Sequence, residues 1–287
     1  MSDPIVVVRC PRCGSMDAET VEAVGIEFER MKCGACGHEE VCDDHQLRFT
    51  WNERVPIDRV RREVWHVLPD ERFADLWRAL GATGSGRDVF ERLRAAYDEP
   101  HRAYHTARHI GACLRLLDDT AVHALATRPT EVEAALWFHD AVYDTRAGNN
   151  EERSALLARE TLGGAGVATD VADRVERAVR ATKDHVAATS DEQLVVDVDL
   201  SILGADADAF ARFEDEIRRE YAWVDAERYR VGRAAVLGRF LERPSVYRTS
   251  LLRDRFEARA RENITAAITR LGAPSVATAA TRRRRGR

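Results

Sequence analysis

The chain has 287 residues, enough for one sizeable domain and a smaller module, and 45% of them are apolar and 32% charged. A net charge of -5 gives no general electrostatic reason to expect nucleic acid or an anionic membrane as a partner. No apolar run approaches the ~20 residues of a membrane span, and the N-terminus lacks the basic and apolar regions of a signal peptide. We therefore expect a cytoplasmic protein without a membrane contact.

Residues 1–46 differ in kind from the rest of the chain. Short extended runs, Ile5–Val8 and Thr20–Phe28, are separated by glycines and predict β-hairpins. Two C-x2-C pairs, nineteen residues apart and each followed by glycine, supply four thiols: Cys10, Cys13, Cys33 and Cys36. Two such turns let four thiolates converge on one zinc ion, which supplies stability that a module of about 40 residues cannot obtain from an apolar core. We predict a zinc ribbon whose zinc is structural, because four protein ligands leave no open position.

From about Pro56 onward, apolar residues recur at spacings of three and four between charged residues, which predicts α-helices. The predicted helices span 57–80, 87–97, 105–118, 131–143, 150–162, 170–183, 206–221, 226–241 and 253–271. Leu194–Val198 is rich in β-branched residues, but the run is short and we expect a buried helical segment. The predicted domains are therefore the ribbon at 1–46, an all-α bundle at 57–271 and a disordered basic tail at 272–287.

Three separated segments of this predicted bundle place histidine or aspartate within apolar runs, where an unpaired charge is costly. Their residues are His105 with His109, His139 with Asp140, and Asp197 with Asp199. His105 and His109 are four residues apart and would share one face of a helix. A single histidine is more often a hydrogen-bonded core residue, and a single aspartate is often a helix cap. Neither explanation predicts the combination, which suggests a shared cation.

The order His, His-Asp, Asp resembles the signature of the HD superfamily, a group of all-α metal-dependent phosphohydrolases. Tyr104-His105-Thr106-Ala107-Arg108-His109 is also similar to the Tyr-His-Asn-x-x-His motif of cyclic nucleotide phosphodiesterases in that superfamily. Between about 98 and 247 the chain resembles a family of predicted HD phosphohydrolases. The shared segments are Pro100–His105, Trp137–Asp144, Asn150–Ala155, Ala181–His185, Asp197–Gly204, Arg219–Tyr221 and Gly232-Arg233.

This resemblance implies an all-α HD-domain helical bundle and roles for individual residues. The implied metal ligands are His109, His139, Asp140 and Asp199, a donor set that suits Mn²⁺, Fe²⁺, Co²⁺, Mg²⁺ or Zn²⁺. His105 corresponds to the general acid that protonates the leaving alkoxide. Thr106 stands where the phosphodiesterases have asparagine, and Tyr143 and Asp144 stand where they have a further histidine. A second metal bound in the phosphodiesterase manner is therefore not expected.

Other residues are candidates for contact with water or phosphate. Glu151 or Glu152, at the start of a predicted helix, could orient the attacking water, although acidic residues are also favoured there by the helix dipole. Four further side chains are candidates for phosphate binding: Lys183, His185, Arg219 and Arg233.

The predicted function is metal-dependent hydrolysis of a phosphate ester or anhydride of a nucleotide or a similar small phosphorylated substrate. Two alternatives stay open. One is a non-catalytic module that binds nucleic acid or protein through the zinc ribbon and the basic tail around Arg282–Arg285. The other is a di-iron HD oxygenase, which would need additional histidine ligands such as His185.

Overall fold

The structure is a computed structural model. It describes five short strands between residues 5 and 55 by their backbone, and residues 70–272 with their side chains. The chain divides into two units between Pro69 and Asp70.

In the N-terminal unit, strands pair in two antiparallel sheets. The strands are β1 (Ile5–Val8), β2 (Ala18–Val24), β3 (Glu27–Cys33), β4 (Glu39–Val41) and β5 (Asn52–Val55). β1 pairs with β5, and β2, β3 and β4 form a meander. Cys33 is described only as the last residue of β3, and Cys10, Cys13 and Cys36 lie outside the described residues. The structural zinc of the ribbon therefore stays a prediction.

The second unit is built from helices connected by short loops. They are α1 (Asp70–Ala79), α2 (Arg87–Tyr97), α3 (Ala107–Leu117), α4 (Thr120–His123), α5 (Pro129–Phe138), α6 (Asn150–Gly164), α7 (Thr169–Asp184), α8 (Ser190–Asp199), a 3-10 turn (Leu200–Gly204), α9 (Ala207–Glu220), α10 (Ala226–Glu242) and α11 (Ser250–Arg270). No strand occurs between residues 70 and 272, which confirms the all-α prediction for this part of the chain. Leu194–Val198 lies in α8 and is helical, as expected.

Two predicted segments extend beyond the described residues. The helix predicted at 57–80 is observed from Asp70, and its first part, 57–69, lies outside the description. The predicted basic tail, with Arg282–Arg285, also lies outside it from residue 273 onward. Among the described helices, none combines the length and apolar character needed to cross a membrane.

The core is organised around α5. Every residue from Ala134 to Phe138 is buried, and the helix contacts α1, α3, α6, α7 and α8. Trp137 packs edge-on against Phe73 and Phe90, and its carbonyl accepts a hydrogen bond from the hydroxyl of Tyr97 at 2.8 Å. A helix that is apolar on all sides must be covered on all sides, so α5 carries the residues that follow it, His139 and Asp140, into the middle of the unit.

The 3-10 turn joins α8 to the C-terminal helices by packing against both α9 and α11. At Gly204, a Cβ atom would lie 2.5 Å from the Cβ of Phe256 and 2.8 Å from its carbonyl oxygen. Only glycine permits this approach of the turn to α11. Because Asp199 directly precedes the turn, this contact also determines where the end of α8 lies.

Candidate metal centre and the adjoining cleft

The candidate site lies where three chain segments bring imidazoles and carboxylates together. His109 is in the first turn of α3, which begins after Thr106, whose hydroxyl accepts the backbone N–H of Arg108 at 3.3 Å. His139 and Asp140 directly follow α5, and Asp199 is the last residue of α8. All four side chains predicted as metal ligands are thus positioned by the ends of helices that pack in the core.

The ring nitrogens of His109 and His139 form the centre of this cluster. Their Nε2 atoms are 3.0 Å apart. Oδ1 of Asp199 lies 3.2 Å from Nε2 of His109 and 3.5 Å from Nε2 of His139. Oδ2 of Asp140 lies 3.1 Å from Nε2 of His139 and 3.5 Å from Nε2 of His109. Both imidazoles are buried, so water does not separate the four groups from one another.

The tautomer of His139 follows from its other ring nitrogen. Nδ1 lies 2.9 Å from the carbonyl oxygen of Leu136, and because a carbonyl only accepts, Nδ1 carries the hydrogen. Nε2 then directs its lone pair at the cluster. A backbone carbonyl that orients an imidazole in this way is a common outer contact of metal-binding histidines.

The cluster has a strong affinity for positive charge. Burial by itself lowers the pKa of His139, but the carboxylates of Asp140 and Asp199 outweigh it and raise that pKa well above its ordinary value. Burial likewise raises the pKa of Asp199, yet the two histidines hold it well below its usual range. Two imidazole nitrogens and two carboxylate oxygens at these separations require a shared proton or a cation between them. His109, His139 and Asp199 each offer a ligand atom within 4.8 Å of the others, so they could hold a metal ion. Asp140 contacts both imidazoles of this group.

His105 belongs to a second, adjoining network centred on Glu220, the last residue of α9. Oε2 of Glu220 lies 2.7 Å from Nδ1 of His105 and accepts the hydroxyl of Tyr143 at 2.7 Å. Its other oxygen, Oε1, accepts the backbone N–H groups of Ala103, Tyr104 and His105 at 2.7, 2.8 and 3.0 Å. One carboxylate therefore orients the His105 ring and holds the loop that precedes α3.

The charges of this network act on one another. Burial by itself lowers the pKa of His105, but Asp140 and the hydrogen-bonded Glu220 raise it above its ordinary value. Burial raises the pKa of Glu220, but His105, Tyr143 and a backbone hydrogen bond lower it to about 2. His105 thus favours its protonated form beside an ionised Glu220. With Nδ1 bound to the carboxylate, Nε2 is the ring atom left for exchange with a ligand.

Arg102 connects the two groups through the backbone. Its buried guanidinium donates to the carbonyl of His105 at 3.1 Å, to that of Asp140 at 2.6 Å and to that of Ala141 at 3.2 Å. It also bonds the Glu99 carboxylate at 3.0 Å. A single side chain therefore holds the backbone of the loop before α3 against the turn after α5.

Asp197 has a structural role, although it is only two residues from Asp199. Its carboxylate is fully buried and accepts the backbone N–H of Arg248 at 2.8 Å and of Thr249 at 2.6 Å, together with the Thr249 hydroxyl at 2.7 Å. Thr249 precedes α11, so Asp197 fixes the start of that helix. A hydrogen-bonded structural role thus explains Asp197, although it is not the N-cap of α11, and it does not extend to Asp199.

A cleft of about 390 Å³ opens beside the cluster. Besides His105, Asp140 and Asp199, its lining includes four residues predicted to bind substrate or water: Glu151, Lys183, His185 and Arg233. Glu152 is not part of this lining and forms an ion pair with Lys183. Arg219 also lies outside it, because its side chain is 66% exposed and faces Glu216 at 3.4 Å.

Two acid-base groups of the lining are shifted by burial. Burial, with Asp140 and Glu152 nearby, raises the pKa of Glu151. Burial lowers the pKa of His185, whose ring packs on Phe240 with centroids 5.2 Å apart. His185 also ends α7 in the left-handed conformation, with φ 54° and ψ 40°. Such backbone strain in a residue other than glycine is common where a side chain is held for a ligand.

Glu220 and Arg102 are absent from the candidates that the sequence suggests, and only Glu220 carried a detectable signal. Glu220 follows Phe213 and Ile217 at spacings of seven and three, so a carboxylate continues the buried face of α9. An acidic residue in that position needs a polar partner. Arg102 lies within the motif Pro100–His105, but nothing local distinguishes a buried arginine from a surface arginine.

Compared with protein-family models, with curated proteins and with solved structures, the chain matches none of them.

Proposed function

We propose that this chain is a metal-dependent phosphohydrolase of the HD superfamily that cleaves an ester or anhydride of phosphoric acid in the cleft beside the cluster. The proposed ligands of one divalent cation are His109, His139, Asp140 and Asp199. The observation that carries the proposal is the convergence of two imidazole Nε2 atoms, 3.0 Å apart, with one carboxylate oxygen each of Asp140 and Asp199 at 3.1–3.5 Å from these nitrogens.

The donor set fits a cation. Adjacent ligand atoms about 2.0–2.2 Å from a shared six-coordinate ion are about 2.9–3.1 Å apart, and the separations of 3.0, 3.1 and 3.2 Å in the cluster are close to this value. Four protein ligands on such an ion leave two positions for water and substrate. Imidazole nitrogen with carboxylate oxygen suits Mn²⁺, Fe²⁺, Co²⁺ and Zn²⁺, and Mg²⁺ less closely. The carbonyl of Leu136 supports this assignment, since it keeps the lone pair of His139 on the nitrogen that faces the cluster. The chemistry that a bound divalent cation supplies is Lewis-acid polarisation of a phosphoryl oxygen and activation of water.

Residues of the cleft supply the proton transfers in this proposal. His105 donates a proton from Nε2 to the leaving oxygen, while Glu220 holds the ring and stabilises its protonated form. Glu151, whose pKa is raised by burial, orients and deprotonates the attacking water. The Arg102 contacts hold the backbone of His105 and Asp140, so that acid and metal ligand keep a constant separation.

The test is hydrolysis by the purified full-length chain supplied with Mn²⁺ or Co²⁺, assayed on a panel of phosphomonoesters, phosphodiesters and nucleotides. We expect Asp140→Ala to lower the rate at least about a hundredfold, since it removes a proposed ligand. Metal analysis of the same variant should show about one ion fewer per chain than the wild type.

Asp88→Ala is the matched control, because Asp88 is an exposed aspartate in the first turn of α2. It should retain both activity and metal content. Circular dichroism should show the same helix content in all three proteins. Activity that survives in Asp140→Ala would contradict the proposal.

The two alternatives make different demands on the chain. A binding module would use the ribbon and Arg282–Arg285, which lie outside the residues described with side chains. A di-iron oxygenase would need a second group of ligands. Within residues 70–272 the group formed by His109, His139 and Asp199 is the cluster that the geometry brings together. No observation on the described residues favours either alternative.

A further inference from the structure

We infer that the cleft selects substrates with one phosphoryl group esterified to an apolar or aromatic leaving group, and discriminates against diphosphates and triphosphates. This inference rests on the proposed function. It is carried by the juxtaposition of an apolar wall with the metal-ligand cluster, in a cleft whose lysine and arginine side chains are already paired with carboxylates.

The apolar wall comes from the 3-10 turn, α9 and α10. Phe213, Ile217, Leu237 and Phe240 are buried side chains of this wall, and Ile202, Val236 and Tyr221 line the same cleft with part of their surface exposed. Aliphatic and aromatic side chains in such a concave lining favour an apolar or aromatic ligand group. The cluster side of the cleft supplies the polar contacts, so the two ends of an aryl or nucleoside monophosphate would meet different chemistry.

Arg233 is not free to receive a second phosphate. Its Nε lies 3.2 Å from Oε1 of Glu214, and the two side chains are 13% and 14% exposed. The guanidinium also lies 5.2 Å from the ring centre of Phe213. Transfer of this guanidinium to a phosphate would leave the largely buried Glu214 carboxylate without its partner, which is costly.

Lys183 is also paired, although its side chain and that of Glu152 are more exposed, at 35% and 34%. Its ammonium group donates to the Glu152 carboxylate and, at 3.1 Å, to the carbonyl of Gly148. These contacts bind it to the loop before α6 and to the first turn of that helix. Lys183 and Arg233 are the lysine and arginine residues of this cleft lining.

Apart from His105, whose Nδ1 is bound to Glu220, the remaining charges of the lining are negative. Asp140, Asp199, Glu151 and Asp184 supply carboxylates, and a divalent cation would offset two of these charges. A phosphomonoester carries a charge of about -1.5 to -2 at neutral pH. Each further phosphate adds negative charge, and no unpaired lysine or arginine of the described lining is available to balance it. Electrostatics thus opposes polyphosphates, while the apolar wall favours an apolar ester group.

The first experiment compares phenyl phosphate with inorganic pyrophosphate and tripolyphosphate on the Mn²⁺-loaded full-length chain. We expect kcat/KM for phenyl phosphate to exceed both by at least about tenfold. A binding arm of the experiment measures affinity by calorimetric titration with phenylphosphonate and with methylenediphosphonate. Phenylphosphonate should form the tighter complex. Faster turnover of pyrophosphate or tripolyphosphate, or tighter binding of the diphosphonate, overturns the inference. If no substrate is hydrolysed, the proposed function fails, and the binding arm still decides the selectivity.

Two variants with matched controls test separately the two causes of the selectivity, which are the pairing of the cationic side chains and the apolar wall. Glu214→Gln frees Arg233 and should raise the ratio of pyrophosphate to phenyl phosphate turnover roughly tenfold. Glu131→Gln is its control, because it breaks a similarly buried pair with Arg174 that lies outside the cleft. An unchanged ratio in Glu214→Gln contradicts the electrostatic cause.

Val236→Ala shortens the apolar wall and should raise KM for phenyl phosphate about fivefold to tenfold, with little change for glycerol phosphate. Val231→Ala is the control, because Val231 is on the same helix, is 61% exposed and lies outside the cleft lining. An equal response of both esters to Val236→Ala, or an equal effect of the two variants, contradicts the apolar selection.

Discussion

Two groups of imidazoles and carboxylates adjoin each other in this protein, and they differ in how their polar atoms are satisfied. In the network around Glu220, both carboxylate oxygens accept hydrogen bonds, three of them from backbone N–H groups. In the cluster around His109 and His139, the two Nε2 atoms are 3.0 Å apart, and carboxylate oxygens of Asp140 and Asp199 lie 3.1–3.5 Å from them. A network that satisfies itself positions its members. A cluster of imidazoles and carboxylates that favours added positive charge is suited to binding a cation.

Replacement of Arg102 should have the largest effect, because this residue supports both groups. Arg102→Met leaves the carbonyls of His105, Asp140 and Ala141 without their donor. We expect the free energy of unfolding to fall by about 3–5 kcal/mol, as for loss of one partner from a buried charged network. Chemical denaturation measures this change in the free energy of unfolding.

Arg78→Met is the control, because Arg78 belongs to an exposed ion pair with Asp75. Arg78→Met should change the free energy of unfolding by no more than about 0.5 kcal/mol. If the two variants prove equally stable, Arg102 does not hold the two groups together.

The second prediction separates Asp199 from Asp197. Binding of a cation at about a hundred times its dissociation constant stabilises the folded chain by about 2.7 kcal/mol. Added Mn²⁺ should therefore raise the melting temperature of the wild type, and Asp199→Asn should abolish this rise. Asp197→Asn should instead lower stability by about 1–3 kcal/mol without metal, because the N–H groups at the start of α11 lose a charged acceptor.

Thermal melts of both variants with and without Mn²⁺ provide the measurement. Asp197→Asn should keep the rise that the metal produces. A metal-induced rise that persists in Asp199→Asn would show that Asp199 is not a ligand.

The third prediction concerns the pH dependence that Glu220 confers. Since Glu220 helps to raise the pKa of His105, the proton donor is lost when pH rises through that raised value. In Glu220→Gln the alkaline limb of the pH-rate profile should move to lower pH, because one of the groups that raise the pKa of His105 is removed. A profile that keeps the wild-type limb would contradict the role of Glu220 in holding the proton.

The same variant has a second effect, in acid. The pKa of Glu220 is about 2 in the fold, below its ordinary value of 4.5. Its contribution to stability is therefore present above pH 4.5 and lost as pH falls toward 2. The difference in the free energy of unfolding between wild type and Glu220→Gln should shrink over that range.

Tyr143→Phe should have the smallest effect. It removes one of two hydrogen bonds to Oε2 of Glu220 and should cost about 1 kcal/mol, with a smaller shift of the alkaline limb than in Glu220→Gln. Tyr229→Phe is the control, because the Tyr229 hydroxyl is buried without a hydrogen-bond partner. Denaturation of both variants distinguishes them. Equal losses would indicate that the Tyr143 hydroxyl contributes nothing through Glu220.

Much of the helical unit could be predicted from the sequence, because helix periodicity and helix ends are local properties. The segments 87–97 and 226–241 correspond closely to α2 and α10. The helix predicted at 131–143 ends earlier, at Phe138. Apolar periodicity continued beyond that point, but His139 and Asp140 lie in the following turn and face the cluster.

The amino-acid sequence by itself determined the chemistry available: which imidazoles and carboxylates interrupt apolar helices, and that such groups need partners. Only the tertiary structure decided the partners. Asp197 and Asp199 are similar by sequence, yet helical residues two positions apart point about 200° apart, so Asp197 binds the backbone before α11 and Asp199 meets His109. Glu220 reaches His105 across 115 residues of chain, while the adjacent Arg219 faces outward. Contacts over such separations depend on the packing of α9 against the core, which no local pattern encodes.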